Sequence, residues 1–200
     1  MKEYPSILGS KGAPELPCIA FYKLDGSNLR FEWSRKTGFY KFGTRRRLFD
    51  KNDAEYGCAV EIFNNKYGED LSKIFRDKYK VEKAMAFGEF FGPQSFAGQH
   101  VADDPKEIVL FDINIHKKGI LGPEEFIKNF GHLHTPQVIY EGPLTEEFIL
   151  DVRQSKYPVN EGVVCKGGAG HKIWMRKIKT LDYLKRLQKV YENTWQELWE

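Results

Sequence analysis

The chain has 200 residues, enough for one globular domain with at most a short appendage, and 41% of them are hydrophobic. Its formal net charge of +3 is too small to require a polyanionic partner, although basic residues cluster at 45–47 and again over 172–179. The three cysteines are far apart, which argues against a disulfide framework and a zinc site and favours a reducing compartment. We find no apolar segment that resembles a signal peptide or a membrane span, so we expect a soluble, cytoplasmic protein without membrane contact.

The first half of the chain predicts a hairpin followed by helices. Apolar residues alternate over 18–48, which predicts a hairpin with one strand over 29–34 and its partner over 39–45. Apolar residues at helical spacing then predict two separate helices, over 53–65 and 69–79.

The second half mixes short strands with short helices. The predicted strands cover 84–91, 108–115, 136–140, 162–166 and 172–178. The predicted helices cover 123–130, 145–153 with Thr145 as its N-cap, and an amphipathic segment from Leu181 to Leu198. This mixture indicates an α+β fold of largely antiparallel sheets with flanking helices. We expect one domain over residues 1–179, with a C-terminal helix over 180–200 packed on it.

One lysine stands where a strand ends. Lys23 follows the apolar run 18–22 and precedes a tight Asp-Gly-Ser-Asn turn at 25–28. An amine at the rim of a sheet, beside a glycine that lets a phosphate approach the backbone, is a candidate nucleophile. The alternative is an ordinary solvated strand end.

A lysine nucleophile must lose a proton, and neighbouring cations favour that loss by lowering its pKa. Lys177 and Lys179 alternate along one predicted strand, so both side chains face the same way and can also hold a phosphate. Glu89 and Glu161 lie in or beside predicted strands, where a carboxylate can bind Mg²⁺ or a ribose hydroxyl. Edge-strand lysines and surface ion pairs are the structural alternatives for these four residues.

Four short motifs follow one another along almost the whole chain: Lys-Leu-Asp-Gly at 23–26, Phe-Gly-Glu-Phe-Phe-Gly at 87–92, Glu-Gly-Val-Val at 161–164 and Lys-Ile-Lys at 177–179. This succession resembles the collinear motif set of the covalent nucleotidyltransferase superfamily, which comprises ATP-dependent DNA and RNA ligases and mRNA capping enzymes. A further Leu-Phe-Asp-Ile at 110–113 is similar to a segment of the ATP-dependent RNA ligases. The resemblance therefore favours the RNA ligase branch.

That resemblance implies a three-step reaction. Lys23 would attack the α-phosphate of ATP, release pyrophosphate and become a lysyl-adenylate. The AMP would pass to a 5′-phosphate on RNA, and a 3′-hydroxyl would then seal the strand and release AMP. A divalent cation, Mg²⁺ or Mn²⁺, would accompany ATP.

The resemblance also implies roles for individual residues. Glu89 would contact the ribose, while Phe111 and Val164 would cover the two faces of adenine. Glu161 would help to hold the metal, and Lys177 and Lys179 would stabilise charge on the α-phosphate. The nucleotide would also be bound by the turn residues Asp25, Gly26 and Asn28. For the phosphate-binding arginine after the first hairpin, the spacing favours Arg45 over Arg35.

The chain departs from the pattern in one respect. DNA ligases and capping enzymes carry an OB-fold after the last motif, whereas only about twenty residues follow Lys179, too few for such a barrel. We therefore expect a minimal domain without an OB-fold, for which a protein partner or an extra clamp would assist end joining. The alternatives are a DNA nick ligase, a capping-type guanylyltransferase, or a nucleotide- or RNA-binding module without catalysis.

Overall fold

The computed structural model describes residues 1, 3–192 and 194–195 and shows an α+β fold of two sheets and five short α-helices within that part of the chain. The strands are β1 (Leu8–Gly9), β2 (Pro17–Lys23), β3 (Ser27–Ser34), β4 (Gly38–Thr44), β5 (Leu48–Phe49), β6 (Lys83–Phe91), β7 (Glu107–Ile115), β8 (Gly119–Ile120), β9 (Val138–Pro143), β10 (Gly162–Gly167) and β11 (Trp174–Lys179). The helices are α1 (Gly57–Phe63), α2 (Glu69–Lys73), α3 (Pro123–Phe130), α4 (Glu146–Arg153) and α5 (Leu181–Tyr191).

The chain divides into two compact units. Unit 1 comprises Met1–Pro5, Gly26–Leu121 and Glu125–Thr135. Unit 2 comprises Ser6–Asp25, Gly122–Glu124 and Pro136–Glu200. Each unit contains one of the two sheets.

The sheet of unit 1 has the order β5-β4-β3-β6-β7-β8, and every neighbouring pair is antiparallel. As the alternation predicted, Leu29, Phe31 and Trp33 are fully buried on one face of β3. The ring of Phe31 stacks on Phe63 with centroids 3.7 Å apart, and Trp33 Nε1 donates to Ser72 Oγ at 3.0 Å. The helical segment of unit 1 therefore covers this face.

The helical structure predicted over 53–65 and 69–79 is confirmed over most of both ranges, and the two ranges belong to one continuous helical segment that runs from residue 57 to residue 78. Two π-helical turns, Asn64–Gly68 and Ile74–Lys78, alternate in it with α1 and α2. The physical reason lies in the buried stripe, whose members are exactly four residues apart: Ala59, Phe63, Tyr67, Leu71 and Phe75. An α-helix has about 3.6 residues per turn, so such a stripe would rotate away from the sheet, and the wider π turns correct that drift.

The sheet of unit 2 has the order β1-β11-β10-β2-β9. Its pairs are antiparallel except for β1 with β11, which are parallel. One face packs into a small core, to which the sheet contributes Cys18, Ala20, Val163, Cys165 and Ile178. Because side chains alternate along a strand, the opposite face presents the residues between these.

The C-terminal helix begins as predicted and is capped by Thr180, whose side chain accepts a hydrogen bond from Tyr183 N at 3.1 Å. Leu184 and Leu187 of the predicted stripe are buried. α5 ends at Tyr191, and Leu198 lies outside the described residues. In the described part of the chain, no helix combines the length and the apolar character needed to cross a bilayer.

The predicted cap of α4 gives a stability test. Thr145 accepts a hydrogen bond from Phe148 N at 3.1 Å. Thr145→Ala should lower the free energy of unfolding by about 1 kcal/mol, since a helix N–H loses its partner. Thr145→Ser keeps an acceptor oxygen and should stay close to wild type in urea denaturation. Equal losses in both variants would show that the methyl group, rather than the cap, stabilises α4.

Candidate active site

The strand register of unit 2 aligns the predicted lysines. Gly162 of β10 pairs with Lys23 of β2 on one side and with Lys179 of β11 on the other. In the next row on the same face, Val164 pairs with Lys177. This face is opposite the one that packs into the core of unit 2, so the lysines of two sequence motifs share one surface of the sheet.

Glu161 joins two of these lysines. Its Oε2 lies 2.8 Å from Lys23 Nζ, and its Oε1 lies 3.4 Å from Lys179 Nζ. The side chains of Glu161 and Lys179 are only 4% and 8% exposed, whereas that of Lys23 is 21% exposed. One buried carboxylate thus contacts two ammonium groups, of which Lys23 is the more accessible.

Burial lowers the pKa of Lys179, and the positive charge of Lys23 acts in the same direction, while Glu161 opposes both. From the sequence we predicted that neighbouring cations lower the pKa of Lys23, and this stays a prediction. The structure adds a lowered pKa at Lys179. A desolvated ammonium group favours the approach of an anion, such as a phosphate.

Thr180 holds Glu161 in position from the end of β11. Its backbone N–H donates to Glu161 O at 2.9 Å, and its hydroxyl donates to Asn160 O at 2.9 Å. The same hydroxyl caps α5. The residue directly after Lys179 therefore fixes the backbone of the carboxylate that Lys179 contacts.

Gly162 lets β10 pass close to β11 at the position between Lys23 and Lys179. Its φ is +149°, and a Cβ at this position would lie 1.9 Å from Ile178 O. No side chain fits there, so glycine is required between Lys23 and Lys179.

The contacts of Glu161 bear on its predicted role as a metal ligand. Both of its oxygens already accept from ammonium groups. Among the residues that the structure describes, no three His, Cys, Asp or Glu side chains form a metal-binding cluster. Glu161 thus offers one carboxylate, which fits a cation that is held mainly by substrate phosphates.

Unit 1 contains the second group of predicted residues. Asn28 of β3 pairs with Glu89 of β6, and the neighbouring pair Leu29 and Thr44 places Arg45 just beyond the same end of the sheet. The side-chain Oδ1 of Asn28 is buried and accepts no hydrogen bond within the described part of the protein. A buried acceptor without a donor is costly and is a position where a ligand can supply the missing group.

Arg35 lies elsewhere in unit 1. It follows β3 at the end of the sheet where Ser34 pairs with Lys83, opposite the end that carries Asn28. Its Nε lies 3.1 Å from Glu82 Oε1 and also donates to Val81 O at 3.3 Å. Arg35 therefore has a structural role at the far end of the sheet.

The turn glycine has a packing role that the sequence reasoning did not foresee. A Cβ on Gly26 would lie 2.4 Å from Phe90 O and 2.8 Å from Phe91 Cβ. Gly26 is therefore required by the close approach of β6, independently of any nucleotide.

Phe111 is half-buried on β7 and contacts Tyr4, a residue that was not predicted from the sequence. The ring of Tyr4 meets Phe111 edge-on with centroids 5.1 Å apart and meets Phe87 at 4.9 Å. The Tyr4 hydroxyl donates to the buried carboxylate of Asp112. The electrostatic influence of Glu89 and Arg45 also reaches Tyr4, which places it among the predicted nucleotide-binding residues of unit 1.

Little in the sequence distinguishes Tyr4, because it lies in a lead-in without periodicity. The usable signal was Asp112, an acid inside an otherwise apolar strand, since a buried acid requires a hydrogen-bonding partner.

A second missed residue is Lys166, which is buried on the lysine face of unit 2 with its Nζ 5.1 Å from the centroid of the Phe21 ring.

Comparison with known proteins agrees with this geometry. Residues 17–178 match the family model described as RNA ligase. The chain belongs to the RNA ligase family. No curated protein matches its sequence.

Solved structures of RNA ligases share the fold. An archaeal ATP-dependent RNA ligase has a TM-score of 0.67 at 16% identity, over 97% of this chain and 52% of that chain. A Naegleria gruberi RNA ligase with PPi has a TM-score of 0.68 at 16% identity, over 94% and 58%. A mutant of that ligase with ATP and Mn has a TM-score of 0.62 at 19% identity, over 86% and 52%. The expected α+β ligase-type fold is confirmed, and the present chain spans little more than half the length of these proteins.

The contact between Tyr4 and Asp112 can be tested by a double-mutant cycle. Tyr4→Phe should cost about 1 to 3 kcal/mol of unfolding free energy at pH 7, because the buried carboxylate loses a donor. In an Asp112→Asn background the same change should cost less. Additive losses would show that the two side chains do not stabilise each other.

The pH dependence of the same variant supplies a control. Burial, followed by the Asp112 carboxylate, raises the pKa of Tyr4 well above its ordinary value. The stabilisation is therefore fully present below about pH 10, the ordinary tyrosine pKa, and is lost as the pH rises beyond it. The difference in unfolding free energy between wild type and Tyr4→Phe should shrink above about pH 10.

Proposed function

We propose that the chain is the nucleotidyltransferase part of an ATP-dependent RNA ligase and that Lys23 forms a covalent lysyl-AMP intermediate. The observation that carries this proposal is the contact of Lys23 Nζ with Glu161 Oε2 at 2.8 Å, beside Lys179, in a chain of the RNA ligase family. A partly exposed amine next to a carboxylate and a second cation meets the requirements of a lysine nucleophile.

In the proposed first step, Glu161 accepts a proton from the Lys23 ammonium group across that contact. The free amine attacks the α-phosphorus of ATP and forms a P–N bond. The bond from the α-phosphorus to the oxygen that bridges it to the β-phosphorus breaks, and pyrophosphate leaves with that electron pair. The attacking nitrogen releases its second proton to solvent or to the leaving pyrophosphate, and the products are lysyl-AMP and pyrophosphate.

Lys177 and Lys179 would stabilise the negative charge that develops on the α-phosphate. Both lie on β11, on the face that also carries Lys23, and Lys179 is desolvated. Charged donors are most effective in such a water-poor environment, because they need no reorganisation during the reaction.

The remaining predicted residues would bind the base and the sugar. Phe111 would stack on adenine, with Val164 on its other face, and Glu89 would accept from a ribose hydroxyl. The buried Oδ1 of Asn28 supports a ligand near Glu89, and the position of Arg45 beside them favours it over Arg35 as the phosphate-binding arginine. Asp25 and Gly26 would shape the turn beside the nucleotide.

A divalent cation, Mg²⁺ or Mn²⁺, would be bound mainly by the nucleotide phosphates, with Glu161 as the protein carboxylate nearest the lysines. Mg²⁺ commonly uses one or two carboxylates together with substrate phosphates. When bound, the cation would offset the phosphate charge.

After adenylation, AMP would pass to an RNA 5′-phosphate, and a 3′-hydroxyl would attack that phosphorus and release AMP.

We further propose that residues 1–179 act as one catalytic domain with residues 180–200 as its C-terminal helix, since the family match spans both units. Three free cysteines support an intracellular site of action. A protein partner or an additional clamp would assist sealing.

Adenylation provides the direct test. Incubation with radiolabelled ATP and Mg²⁺ should label the wild-type chain covalently, and mass spectrometry should place AMP on Lys23. Lys23→Ala and Lys23→Arg should give no label, because neither supplies an amine that can attack phosphorus. Lys36→Ala, at an exposed turn, is the matched control and should be labelled normally.

Three outcomes would contradict the proposal. Wild-type protein that binds ATP without releasing pyrophosphate would indicate a binding module. Labelling by GTP in preference to ATP would indicate a capping-type enzyme. Sealing of nicked DNA but not of nicked or single-stranded RNA would indicate a DNA ligase.

The stacking role of Phe111 can be measured separately. Phe111→Ala should weaken the apparent affinity for ATP in the adenylation assay by about fivefold, equivalent to about 1 kcal/mol of lost stacking. Phe111→Tyr retains an aromatic face and should stay near wild type. An unchanged ATP dependence in Phe111→Ala would mean that another side chain carries the base.

A further inference from the structure

The sheet of unit 1 has a basic end opposite the end that carries Asn28 and Glu89. At this basic end Ser34 pairs with Lys83, and the turn after β7 reaches it through a hydrogen bond from His116 N to Lys83 O at 3.3 Å. The connections before β6 and after β7 therefore meet here, and both are rich in lysine.

A groove of about 610 Å³ opens at this basic end. Its polar lining includes Lys78, Tyr79, His116, Lys117, Lys118 and Asn129. This volume lies within the range of ligand-binding sites. The groove belongs entirely to unit 1 and contains none of the residues assigned above to nucleotide chemistry.

A polar network builds the wall of the groove. Asn129, which is only 7% exposed, donates to Tyr79 OH at 2.7 Å and accepts from Lys78. Glu125, the one acid recorded in the lining, accepts from Tyr79 OH at 3.0 Å and from Lys118 Nζ at 2.6 Å. Since the negative charge of Glu125 is already matched by Lys118, the remaining lysines give the groove a net positive charge.

Lys80 and Lys83 extend this charge along the rim beside Lys117 of the lining. Lys80, Lys83 and Lys117 are exposed, and none of them forms a hydrogen bond or an ion pair through its side chain with any residue that the structure describes. Lys80 and Lys117 have φ angles of +51° and +68°, a region that disfavours a lysine side chain. Positive charge is thus present at two turn positions where asparagine or glycine would be easier to accommodate.

We propose that this groove and its rim bind the phosphate backbone of the RNA strand whose end is processed at Lys23. Positive charge without base-reading geometry is the arrangement that neutralises phosphates independently of sequence. The exposed large hydrophobic residues recorded for the described chain, such as Tyr40 and Leu150, lie outside the groove. Its apolar lining consists of Val81, Ile115 and the ring of Tyr79. The proposal rests on the proposed RNA ligase function.

The strand geometry gives the proposed footprint a length. Lys83 and Glu89 are six residues apart on β6, which corresponds to about 20 Å at about 3.4 Å per residue. An RNA strand that contacts both ends of this sheet must therefore span about 20 Å.

The test compares two triple variants of equal charge. Lys80→Asn/Lys83→Gln/Lys117→Asn removes the rim, and Lys11→Gln/Lys185→Gln/Lys189→Gln removes three exposed lysines of unit 2. Fluorescence anisotropy with a 5′-phosphorylated 12-nucleotide RNA should show about tenfold weaker binding for the rim variant at low salt. Its plot of log affinity against log salt should be less steep by about 2, because each phosphate contact contributes about 0.7.

Further measurements separate this proposal from the proposed function. Both triple variants should form lysyl-AMP like wild type. Equal losses in the two triple variants, an unchanged salt slope, or binding of poly-glutamate in place of RNA would overturn the groove proposal. Failure of wild type to form lysyl-AMP would overturn the proposed function, and the RNA titrations would still report on the groove.

Discussion

The contact of one buried carboxylate with two ammonium groups is the interaction on which the active site depends. Glu161 is almost inaccessible, so its charge must be compensated within the protein, and Lys23 and Lys179 provide that compensation. The negative charge of Asp25 also acts on Lys179. Burial nevertheless lowers the pKa of Lys179, so its ammonium group is poorly solvated. An anion that takes the place of the missing water, such as a nucleotide phosphate, would stabilise that charge.

The backbone holds these charges at fixed positions. Pairing of β2, β10 and β11 puts Lys23 and Lys179 on either side of Gly162, and the clash of any Cβ with Ile178 O excludes other residues between them. Thr180 adds a second constraint, because it bonds the backbone of Glu161 and starts α5. A reactive lysine positioned by strand register needs little further ordering when substrate arrives, which is how positioned groups contribute to rate.

The sequence predicts some features well because they depend on local patterns. The alternation of Leu29, Phe31 and Trp33 identified a strand with one buried face, and Thr145 identified a helix start. The helical ranges 53–65 and 69–79 were also predicted, but not that they join through π turns. A buried stripe that repeats every four residues does not match an ideal α-helix, and packing against the sheet selects the π turns. The contact between Tyr4 and Asp112 spans 108 residues of sequence, so no local pattern reveals it. Strand register, which no local pattern reveals either, places Arg45 and Arg35 at opposite ends of the sheet.

The two ends of the sheet in unit 1 differ in how their polar groups are satisfied. At the end with Asn28, a buried acceptor has no hydrogen-bond donor in the described structure, and the nearby aromatic rings of Phe111 and Tyr4 meet edge-on. At the opposite end, hydrogen bonds join the side chains of Asn129, Tyr79 and Glu125. What distinguishes this end is the positive charge of its lysines, not a buried polar group without a partner. An unpaired buried acceptor favours one oriented donor and hence a small, specific ligand, whereas exposed charge on a satisfied framework favours a repeating anion in any register. One sheet therefore offers two kinds of recognition, separated by the length of a strand.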